Sequence, residues 1–326
     1  MRRRELLAGL SGLSIARPTI FGSMQQASYN NASASAGWQK YVGNPVIGGK
    51  YGTVFDVSVL QEGQRFLLWG SWRSRKSLAL FESKDGIHWS EPVIVLGPNQ
   101  ETGWEDNINR PFVLKRDGLY HLWYTGQANG KSFIGYATSP NGLNFVRQSK
   151  TPVLAPEEAW EKTSVMCPHV MWDARLAQYR MWYSGGDQYE PDAIGYAMSR
   201  DGLHWMRHSP NPIFTPDRSI AWEQYKVTAC QVVLHAGAFY MFYIGFRDID
   251  HAQIGVAQSS DGISGWRRHP ANPIIRADPG NWDGDACYKP FAVFDKDRWM
   301  LWYNGRNKTL EQIGLAVHNG ESLGFA

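Results

Sequence analysis

The sequence contains five copies of one unit, and this repetition constrains the fold more than any other feature. A hairpin signature built on Ile-Gly-Tyr-Ala and Asp-Gly recurs at 78–89, 134–145, 194–205, 254–266 and, in degraded form, 313–320. Its turn glycines are spaced by 56, 60, 60 and 58 residues. A fixed period of a few tens of residues is typical of repeat folds in which each copy is one supersecondary unit. The repetition therefore predicts one repeat domain rather than two unrelated domains.

Each unit is predicted to contain four antiparallel strands. The first has a Pro-x-Val pattern, as at 110–114, 167–171 and 289–293, and the second alternates aromatic and apolar residues. The third is the Ile-Gly-Tyr-Ala strand, and the Asp-Gly or Asn-Gly pair after it supplies the positive φ of a two-residue hairpin turn. The fourth carries an aromatic residue, usually Trp, and ends in proline. Four such strands are typical of one propeller blade.

The fifth unit lacks a fourth strand, and the N-terminal part of the sequence offers one. Residues 37–48 match the fourth-strand pattern of 265–275, although no hairpin precedes them. A strand from there that completes the last sheet would close the ring and leave no blade half-built. We therefore expect residues 37–326 to form one all-β domain, a five-bladed β-propeller with four antiparallel strands per blade.

The first 36 residues are predicted to be an export signal and linker. Arg2, Arg3 and Arg4 precede a short, weakly apolar stretch, which resembles a twin-arginine signal. That stretch is too short for the roughly 20 apolar residues of a bilayer span. Residues 34–36, Ala-Ser-Ala, suit a signal peptidase. We expect a periplasmic or secreted protein, and the alternative is a basic tail without a targeting function.

The overall composition excludes several classes of partner. Lys and Arg number 33 against 30 Asp and Glu, and a formal net charge of +3 does not indicate a nucleic-acid or membrane-surface binder. Three cysteines without a Cys-x-x-Cys spacing predict neither a disulfide framework nor a zinc site. The sequence indicates no cofactor. Twelve of the 15 tryptophans recur at repeat positions, so we interpret them as packing residues rather than as a sugar site.

Positions on the first strands that break the repeat are the candidate functional residues. The residues on either side of the Pro-x-Val proline position differ between units, and strand alternation would direct them into the central channel. A carboxylate beside cations in a cleft is typical of active sites, although structural ion pairs and the polar lining of a wet channel look the same. The channel candidates are Asp56, Arg110, His169, Gln231 and Lys289.

Further charged residues lie just upstream, at the predicted mouth of the channel. Four acids follow the repeated Trp and are interpreted as structural: Glu105, Glu161, Glu223 and Asp283. Three other residues lack counterparts in some blades and are functional candidates: Asp106, Asp285 and Lys226.

These motifs resemble the five-bladed propellers of glycoside hydrolase families 32, 43, 68, 117 and 130. The resemblance covers residues 37–326 and rests on Trp-Glu or Trp-Asp before the Pro-x-Val strand, Met-Trp-Tyr, and Ile-Gly-Tyr-Ala with Asp-Gly. It implies that Asp56, on the first strand of blade one, is the nucleophile or base. Family 32 has Asp where this chain has Arg110, and Glu where it has Met166. The usual acid is therefore absent from its usual place.

Hydrolysis of a glycoside needs a base or nucleophile and a proton donor, about 5 Å apart for retention and about 6.5–9.5 Å apart for inversion. The resemblance implies inversion, as in families 43 and 117. With Asp56 as base, the proton donors considered are Asp106, Asp285, Glu223 and, as in family 117, His169. The residues expected to bind substrate are Arg110, His169, Gln231, Lys226 and Lys289.

The sequence thus predicts an exported glycoside hydrolase that acts on furanosyl-type, arabinofuranosyl or fructofuranosyl, oligo- or polysaccharides. Two alternatives stay open. One is a non-catalytic carbohydrate-binding propeller that has lost its acid at Met166. The other is a phosphorolytic glycosidase, because basic residues bind phosphate in family 130. In each case the partner is a carbohydrate, and neither nucleic acid nor membrane is expected.

Overall fold

A computed structural model describes residues 27–187 and 191–325 and has an all-β fold. Within these ranges no helix is both long and apolar enough to cross a membrane. The strands are β1 (Tyr29–Asn30), β2 (Trp38–Tyr41), β3 (Val54–Glu62), β4 (Arg65–Trp72), β5 (Ser77–Ser83), β6 (Val93–Leu96), β7 (Asn107–Arg116), β8 (Leu119–Ala128), β9 (Lys131–Ser139), β10 (Val146–Arg147), β11 (Ser164–Asp173), β12 (Gln178–Gly186), β13 (Pro191–Ser199), β14 (Met206–Arg207), β15 (Lys226–His235), β16 (Ala238–Phe246), β17 (Ala252–Ser259), β18 (Arg267–Arg268), β19 (Ala286–Asp295), β20 (Arg298–Asn307) and β21 (Leu310–Asn319). Short 3-10 helices lie at Gly49–Tyr51, Arg73–Arg75, Gln100–Thr102 and Ala159–Glu161.

The strands pair into antiparallel units that correspond to the five repeats. β3–β6 form the first sheet and β15–β18 the fourth. β7–β10 form the second sheet and β11–β14 the third. A parallel bridge between Ser132 and Ser164 joins these two sheets. The fifth contains β19, β20 and β21, and β2 pairs antiparallel with β21, Trp38 opposite His318. The N-terminal strand therefore supplies the fourth strand of the last sheet, and β1 adds a fifth strand that the repeat pattern did not predict.

The residues just before position 37 pack against the sheets. β1 pairs with β2, and the Ser35 hydroxyl donates to the carbonyls of Ala271 and Pro273 at 2.8 Å each. This part of the predicted linker is thus held by the folded domain. The arginines and apolar stretch of the predicted signal lie in residues 1–26, outside the described residues.

The tryptophans of the second strands join neighbouring sheets, which confirms their interpretation as packing residues. Each is fully buried, and its indole N–H donates to the carbonyl of the turn glycine in the next sheet. The fourth sheet has Phe242 at this position. Because Trp302 of the last sheet bonds to Gly86 of the first, these two sheets are in direct contact. The four bonds are Trp69 to Gly142 (3.0 Å), Trp123 to Gly202 (3.0 Å), Trp182 to Gly262 (2.8 Å) and Trp302 to Gly86 (2.9 Å).

The turns after the third strands are wider than predicted. In the second sheet β9 ends at Ser139 and β10 begins at Val146, so the prediction of a two-residue hairpin turn is wrong. Ser139 Oγ accepts a hydrogen bond from the Gly142 N–H at 3.0 Å, and Asn141 Oδ1 accepts one from the Leu143 N–H at 3.0 Å. Side chains that bond to nearby backbone groups stabilise a loop in place of a tight turn. Gly142 has the positive φ that the sequence predicted, at 75°.

Candidate active site

Each first strand contains a β-bulge at the residue before the Pro-x-Val position. The backbone φ of these residues lies between 44 and 55°, in the left-handed region that non-glycine residues seldom adopt. The pairing with the second strand shifts register at the same point. A bulge redirects side chains, and here it recurs in every sheet, so it is part of the fold. The five bulge residues are Asp56, Arg110, Cys167, Ala229 and Lys289.

Hydrogen bonds from the preceding sheet hold the bulges in this conformation. The Asp56 N–H donates to Asn304 Oδ1 of the last sheet at 3.0 Å. Left-handed φ values cost about 1–3 kcal/mol each, and at four of the five bulges a hydrogen bond of this kind helps to offset that cost. For the Lys289 bulge, the position equivalent to Asn304 in the preceding sheet is Ile244, whose side chain cannot accept such a bond. The other three bonds run from Arg110 to Ser71 (2.9 Å), Cys167 to Thr125 (3.1 Å) and Ala229 to Ser184 (2.8 Å).

All five bulge residues line one cavity of about 230 Å³. The alternation argument is therefore correct for this position, because the bulge turns the residue before the proline position towards the centre. The cavity also receives side chains from other strands and loops. Its titratable lining, apart from Cys167, consists of Asp56, Glu311, Arg73, Arg110, Lys289, Arg306 and Tyr288.

Asp56 is a buried carboxylate with few partners. It is 3% exposed, and its Oδ2 accepts no hydrogen bond. Arg110 Nε lies 3.7 Å from Oδ2, and Asn304 Nδ2 lies 3.4 Å from Oδ1. Buried polar atoms are nearly always hydrogen-bonded, so an open acceptor beside a cavity is available to a water molecule or a substrate. Asp56 thus has the environment expected of a group that accepts a proton.

Glu311, at the start of β21, is a second carboxyl group of the cavity that the sequence analysis missed. It is 7% exposed, and its Oε1 accepts a hydrogen bond from Arg73 at 2.8 Å. Burial raises its pKa above the usual range; Arg73 opposes this shift and the negative charge of Asp56 adds to it. A raised pKa favours the protonated form, which is the form that donates a proton.

The same criterion that selected Asp56 would have found Glu311. Two residues before the Ile-Gly pair of the third strand, the five units differ as much as the channel positions do: Lys76, Ser132, Asp192, Ala252 and Glu311. The candidates from the sequence came from the first strands alone, whereas Glu311 reaches the cavity from the start of a third strand.

The residues after the proline position do not line the cavity, which corrects the prediction for His169 and Gln231. Their side chains bond to the backbone of the next sheet instead. His169 Nε2 lies 2.7 Å from the Val232 carbonyl oxygen, and the Gln231 amide bonds both N–H and C=O of Ala292, at 2.5 and 2.8 Å. These contacts hold neighbouring sheets together. The bulge is the reason, since it turns its own residue towards the cavity and leaves the residue two positions later facing the next sheet.

His169 is also unsuitable as a proton donor. Burial, with a smaller contribution from the positive charge of Lys289, lowers its pKa to about 3 although the hydrogen bond with Val232 opposes the shift. The imidazole ring packs edge-on against Phe112, with ring centroids 4.5 Å apart. Phe112 stacks in turn on Phe291, at 6.3 Å between centroids. His169 therefore stays neutral within an aromatic cluster.

Glu223 belongs to a set of contacts that recurs in four sheets, and it does not line the cavity, where a proton donor was expected. It is fully buried, accepts from the Tyr243 hydroxyl at 2.5 Å, and pairs with Arg268 at 2.5 Å. Three equivalents make the same contacts, each with a Tyr and a cation of the fourth strand. These sets are Glu105 with Tyr124 and Arg147, Glu161 with Tyr183 and Arg207, and Asp283 with Tyr303 and Lys40.

The remaining rim candidates lie outside the cavity lining. Asp106 is exposed, and Asp285 accepts from the Lys308 backbone N–H at 2.5 Å. Lys226 is buried and pairs with Asp192 at 3.1 Å. The structure therefore brings together Asp56, Arg110 and Lys289 from the predicted set. In the part of the chain that the structure describes, no cluster of three or more acidic, His or Cys side chains is suited to hold a metal ion.

Comparison with known proteins identifies relatives by sequence. An uncharacterized protein of Mycobacterium tuberculosis (Rv1502) is 36% identical over 149 residues, which cover 43% of this chain and 46% of that protein. An acid beta-fructofuranosidase of Phaseolus vulgaris is 28% identical over 116 residues, 31% of this chain and 17% of the enzyme. The chain thus matches about half the length of the first relative and less of the second.

Solved structures share the fold. A glycoside hydrolase superposes with a TM-score of 0.71 at 17% identity, covering 91% of this chain and 93% of its own. An exo-1,5-alpha-L-arabinanase from a bovine ruminal metagenomic library superposes with a TM-score of 0.62 at 14% identity. The match covers 81% of this chain and 92% of the arabinanase. Residues 38–320, which include β2–β21 and the whole cavity lining, match the model of glycosyl hydrolases family 43. A cavity with two carboxyl groups is what such an enzyme requires, and the chain belongs to glycoside hydrolase family 43.

Proposed function

We propose that this glycoside hydrolase cleaves arabinofuranosyl or fructofuranosyl oligo- and polysaccharides with inversion, using Asp56 as the general base and Glu311 as the proton donor. The observation that carries the proposal is that two buried carboxyl groups share one cavity in different surroundings. Inverting hydrolysis requires two carboxyl groups with opposite protonation states. Carboxyl pairs whose environments separate their pKa values identify the acid and the base.

In the proposed reaction, Asp56 takes a proton from a water molecule as the water oxygen forms a bond to the anomeric carbon. The open Oδ2 atom is the acceptor, and the Arg110 guanidinium 3.7 Å away stabilises the carboxylate before the transfer. The bond between the anomeric carbon and the leaving oxygen breaks in the same step. The electron pair of that bond goes to the leaving oxygen.

Glu311 supplies the proton that this leaving oxygen receives. After the step Glu311 is ionised and Asp56 is protonated, and exchange with solvent restores the starting state. Arg73, at 2.8 Å, holds the Glu311 carboxyl in position and stabilises the charge that forms on it. Glu311 thereby replaces the proton donors considered from the sequence.

The proposed substrate class rests on family membership and on two similar proteins, one named as a beta-fructofuranosidase and the other as an arabinanase. The cavity of about 230 Å³ lies below the range of about 300–1,000 Å³ common for small-molecule sites. A site of this size accommodates one sugar unit. We therefore expect removal of a terminal residue from a chain.

The test is release of reducing sugar from a panel of arabinofuranosides, fructofuranosides and the corresponding polysaccharides. We expect the rate to fall about 10²–10⁴-fold in Asp56→Asn and in Glu311→Gln. Asp106→Asn is the matched control, because it makes the same acid-to-amide change on an exposed residue outside the cavity. NMR of the first product anomer tests inversion. Full activity in either cavity variant would contradict the assigned roles.

The two alternatives predict other results in the same assay. A carbohydrate-binding protein without catalysis would bind members of the panel and release no sugar. A phosphorylase would require added phosphate and yield a sugar phosphate. Either outcome would replace the hydrolytic proposal.

We also propose that the five sheets close into a propeller ring. The support is the pair of contacts between the last and first sheets, from Trp302 to Gly86 and from Asn304 to Asp56. Removing residues 27–41 takes away β1 and β2 and exposes the edge of β21, so the truncated protein should lose its cooperative thermal transition. An unchanged transition would contradict closure by this strand.

Export through the twin-arginine route is a further proposal, supported by Arg2, Arg3 and Arg4. Expression with and without Arg3→Lys and Arg4→Lys, followed by fractionation, tests it. Loss of the periplasmic or extracellular protein in the variant would support export by this route. Equal distribution of both forms would contradict it.

A further inference from the structure

The cavity contains more positive than negative charge. Among its described lining residues there are four cations and two carboxyl groups. Arg73 pairs with Glu311 at 2.8 Å, and Arg110 lies 3.7 Å from Asp56. Lys289 and Arg306 have no carboxylate partner among the described residues. The family reaction needs the two carboxyl groups, but it does not explain these two cations.

Lys289 is a buried ammonium group without a hydrogen-bond acceptor in the part of the chain that the structure describes. It is 7% exposed and lies at the bulge of β19, with φ at 53°. Its positive charge helps to lower the pKa of His169, for which burial is the larger cause. The same charge opposes the rise that burial causes in the pKa of the Cys230 thiol. The ammonium group therefore lies near the centre of the fold and faces the cavity.

Arg306 provides a second unused donor on the neighbouring strand. Its Nε is buried without a partner, whereas one Nη donates to the Asp250 carbonyl at 2.8 Å. That bond holds the guanidinium in place and leaves Nε open. In the pairing of β20 with β21, Arg306 lies opposite Glu311, so this donor belongs to the catalytic side of the cavity.

Buried charges without partners cost free energy, and proteins normally pair them. Both donors are positively charged and line the same cavity, and a carboxylate accepts strong charge-assisted hydrogen bonds from such groups. A neutral furanose would leave both cations uncompensated when it excluded water from the cavity. A sugar unit that carries its own negative charge would compensate them.

We propose that Lys289 and Arg306 bind a carboxylate on the sugar unit in the cavity, so that the preferred substrate is a glycoside of an acidic sugar. This inference rests on the hydrolytic roles proposed for Asp56 and Glu311. It changes the expected sugar unit of that same site from a neutral furanosyl group to one that carries a carboxylate, with the glycosidic carbon facing Asp56 and Glu311.

A binding experiment separates this inference from catalysis. The Asp56→Asn protein, unable to turn over substrate, is titrated calorimetrically with a series of uronic acids and with their methyl esters, which have the same shape without the charge. We expect at least one acid to bind about tenfold or more tightly than its ester. Lys289→Met and Arg306→Gln in the same background should abolish the difference. Lys308→Met, which removes one charge from an exposed residue outside the cavity, should retain it.

The outcomes distinguish the two proposals. Preference for the acid without turnover by the native enzyme would support the anion site and contradict the proposed function. Equal affinity for acid and ester, or an unchanged preference in Lys289→Met, would overturn the anion site. Turnover of neutral substrates that requires inorganic phosphate and yields a sugar phosphate would assign the cations to a free anion and overturn the substrate carboxylate. Thermal melting of each variant confirms that it is folded.

Discussion

Two groups of buried carboxyl groups in this fold look alike in the sequence but differ in their surroundings. Glu105, Glu161, Glu223 and Asp283 each accept hydrogen bonds from a tyrosine and from a cation of the fourth strand. Asp56 has an oxygen that accepts no hydrogen bond, and Glu311 has a raised pKa within a cavity. The first group recurs in four sheets, whereas each member of the second occurs once.

This difference is the basis for interpreting the first group as structural and for the catalytic roles proposed for the second. A buried carboxylate that accepts hydrogen bonds from both a tyrosine and a cation contributes to stability rather than to chemistry. A carboxyl group with an open acceptor or a raised pKa gives up stability and gains reactivity. Burial alone does not distinguish the groups, because both are nearly inaccessible. The two groups differ instead in how many hydrogen bonds each carboxyl group accepts.

The largest expected effect on stability is in Glu223→Gln. This change leaves Arg268 beside a neutral group and disturbs the Tyr243 hydrogen bond, so we expect a loss of about 3–5 kcal/mol in the free energy of unfolding. Chemical denaturation measures it. Asp56→Asn should lower that free energy less, since Oδ2 accepts no hydrogen bond and its ion pair with Arg110 is long, at 3.7 Å. Equal losses in the two variants would remove the distinction between the groups.

Glu311→Gln should change catalysis rather than folding. A proton donor is needed most when the leaving group is poor, so we expect a fall of about 10²–10⁴-fold with unactivated sugars and a much smaller fall with aryl leaving groups. In the native enzyme kcat should decrease as the pH rises through the raised pKa of Glu311, because the donor then loses its proton. The variant should lack this alkaline decrease. An unchanged alkaline limb would assign the donor to another group.

Trp302→Phe tests a contact of the repeat that involves no carboxyl group. The change deletes the 2.9 Å bond to the Gly86 carbonyl between the last and first sheets, and it leaves that buried acceptor unsatisfied. We expect a loss of about 1–3 kcal/mol in unfolding free energy, with kcat retained at temperatures where the protein is folded. The fourth sheet tolerates Phe242 at this position, which makes Phe the appropriate replacement. Unchanged stability would show that ring packing alone joins these sheets.

The smallest expected effect concerns the exposed acids of the wide turns. Burial would raise the pKa of Asp261, but hydrogen bonds from Ser264 and Ile263 outweigh it and lower the pKa from 3.8 to about 2. A folded-state pKa below the unfolded value stabilises the protein above about pH 4, and this contribution is lost as the pH falls towards 2. Asp261→Asn should therefore lower stability at pH 6 and have little effect near pH 2.

Asn141 provides the internal comparison for that experiment. It occupies the corresponding position in the second sheet and bonds the Leu143 N–H through its amide oxygen at 3.0 Å. Asn141→Asp should give the opposite change, with higher stability at pH 6 than at pH 2. The same response at both pH values in either variant would show that the charge contributes nothing to these turns.

The sequence predicted the architecture because the repeated residues are those that pack one sheet on the next. Trp69, Trp123, Trp182 and Trp302 recur since each reaches a turn glycine of its neighbour. It also predicted that β2 would complete the last sheet, since residues 37–48 carry the fourth-strand pattern. Asp56, Arg110 and Lys289 were selected because they break the repeat on a shared surface.

The width of the turns and the roles of His169 and Gln231 were not predictable from alternation. The alternating pattern assumes a regular strand, and the bulge before the proline position interrupts it. One extra residue reverses which side chains meet the cavity, and no residue type marks that bulge, since Asp, Arg, Cys, Ala and Lys all occupy it.

Local pattern thus determined the repeat, the strand order and the positions at which the blades differ, because those properties depend on residues close together in the chain. Only the tertiary structure decided which differing positions meet. Glu311 and Asp56 are distant in sequence, and they share a cavity because the last and first sheets are in contact. The pKa of Glu311 follows from burial and from neighbouring charges, which exist only after the sheets have assembled.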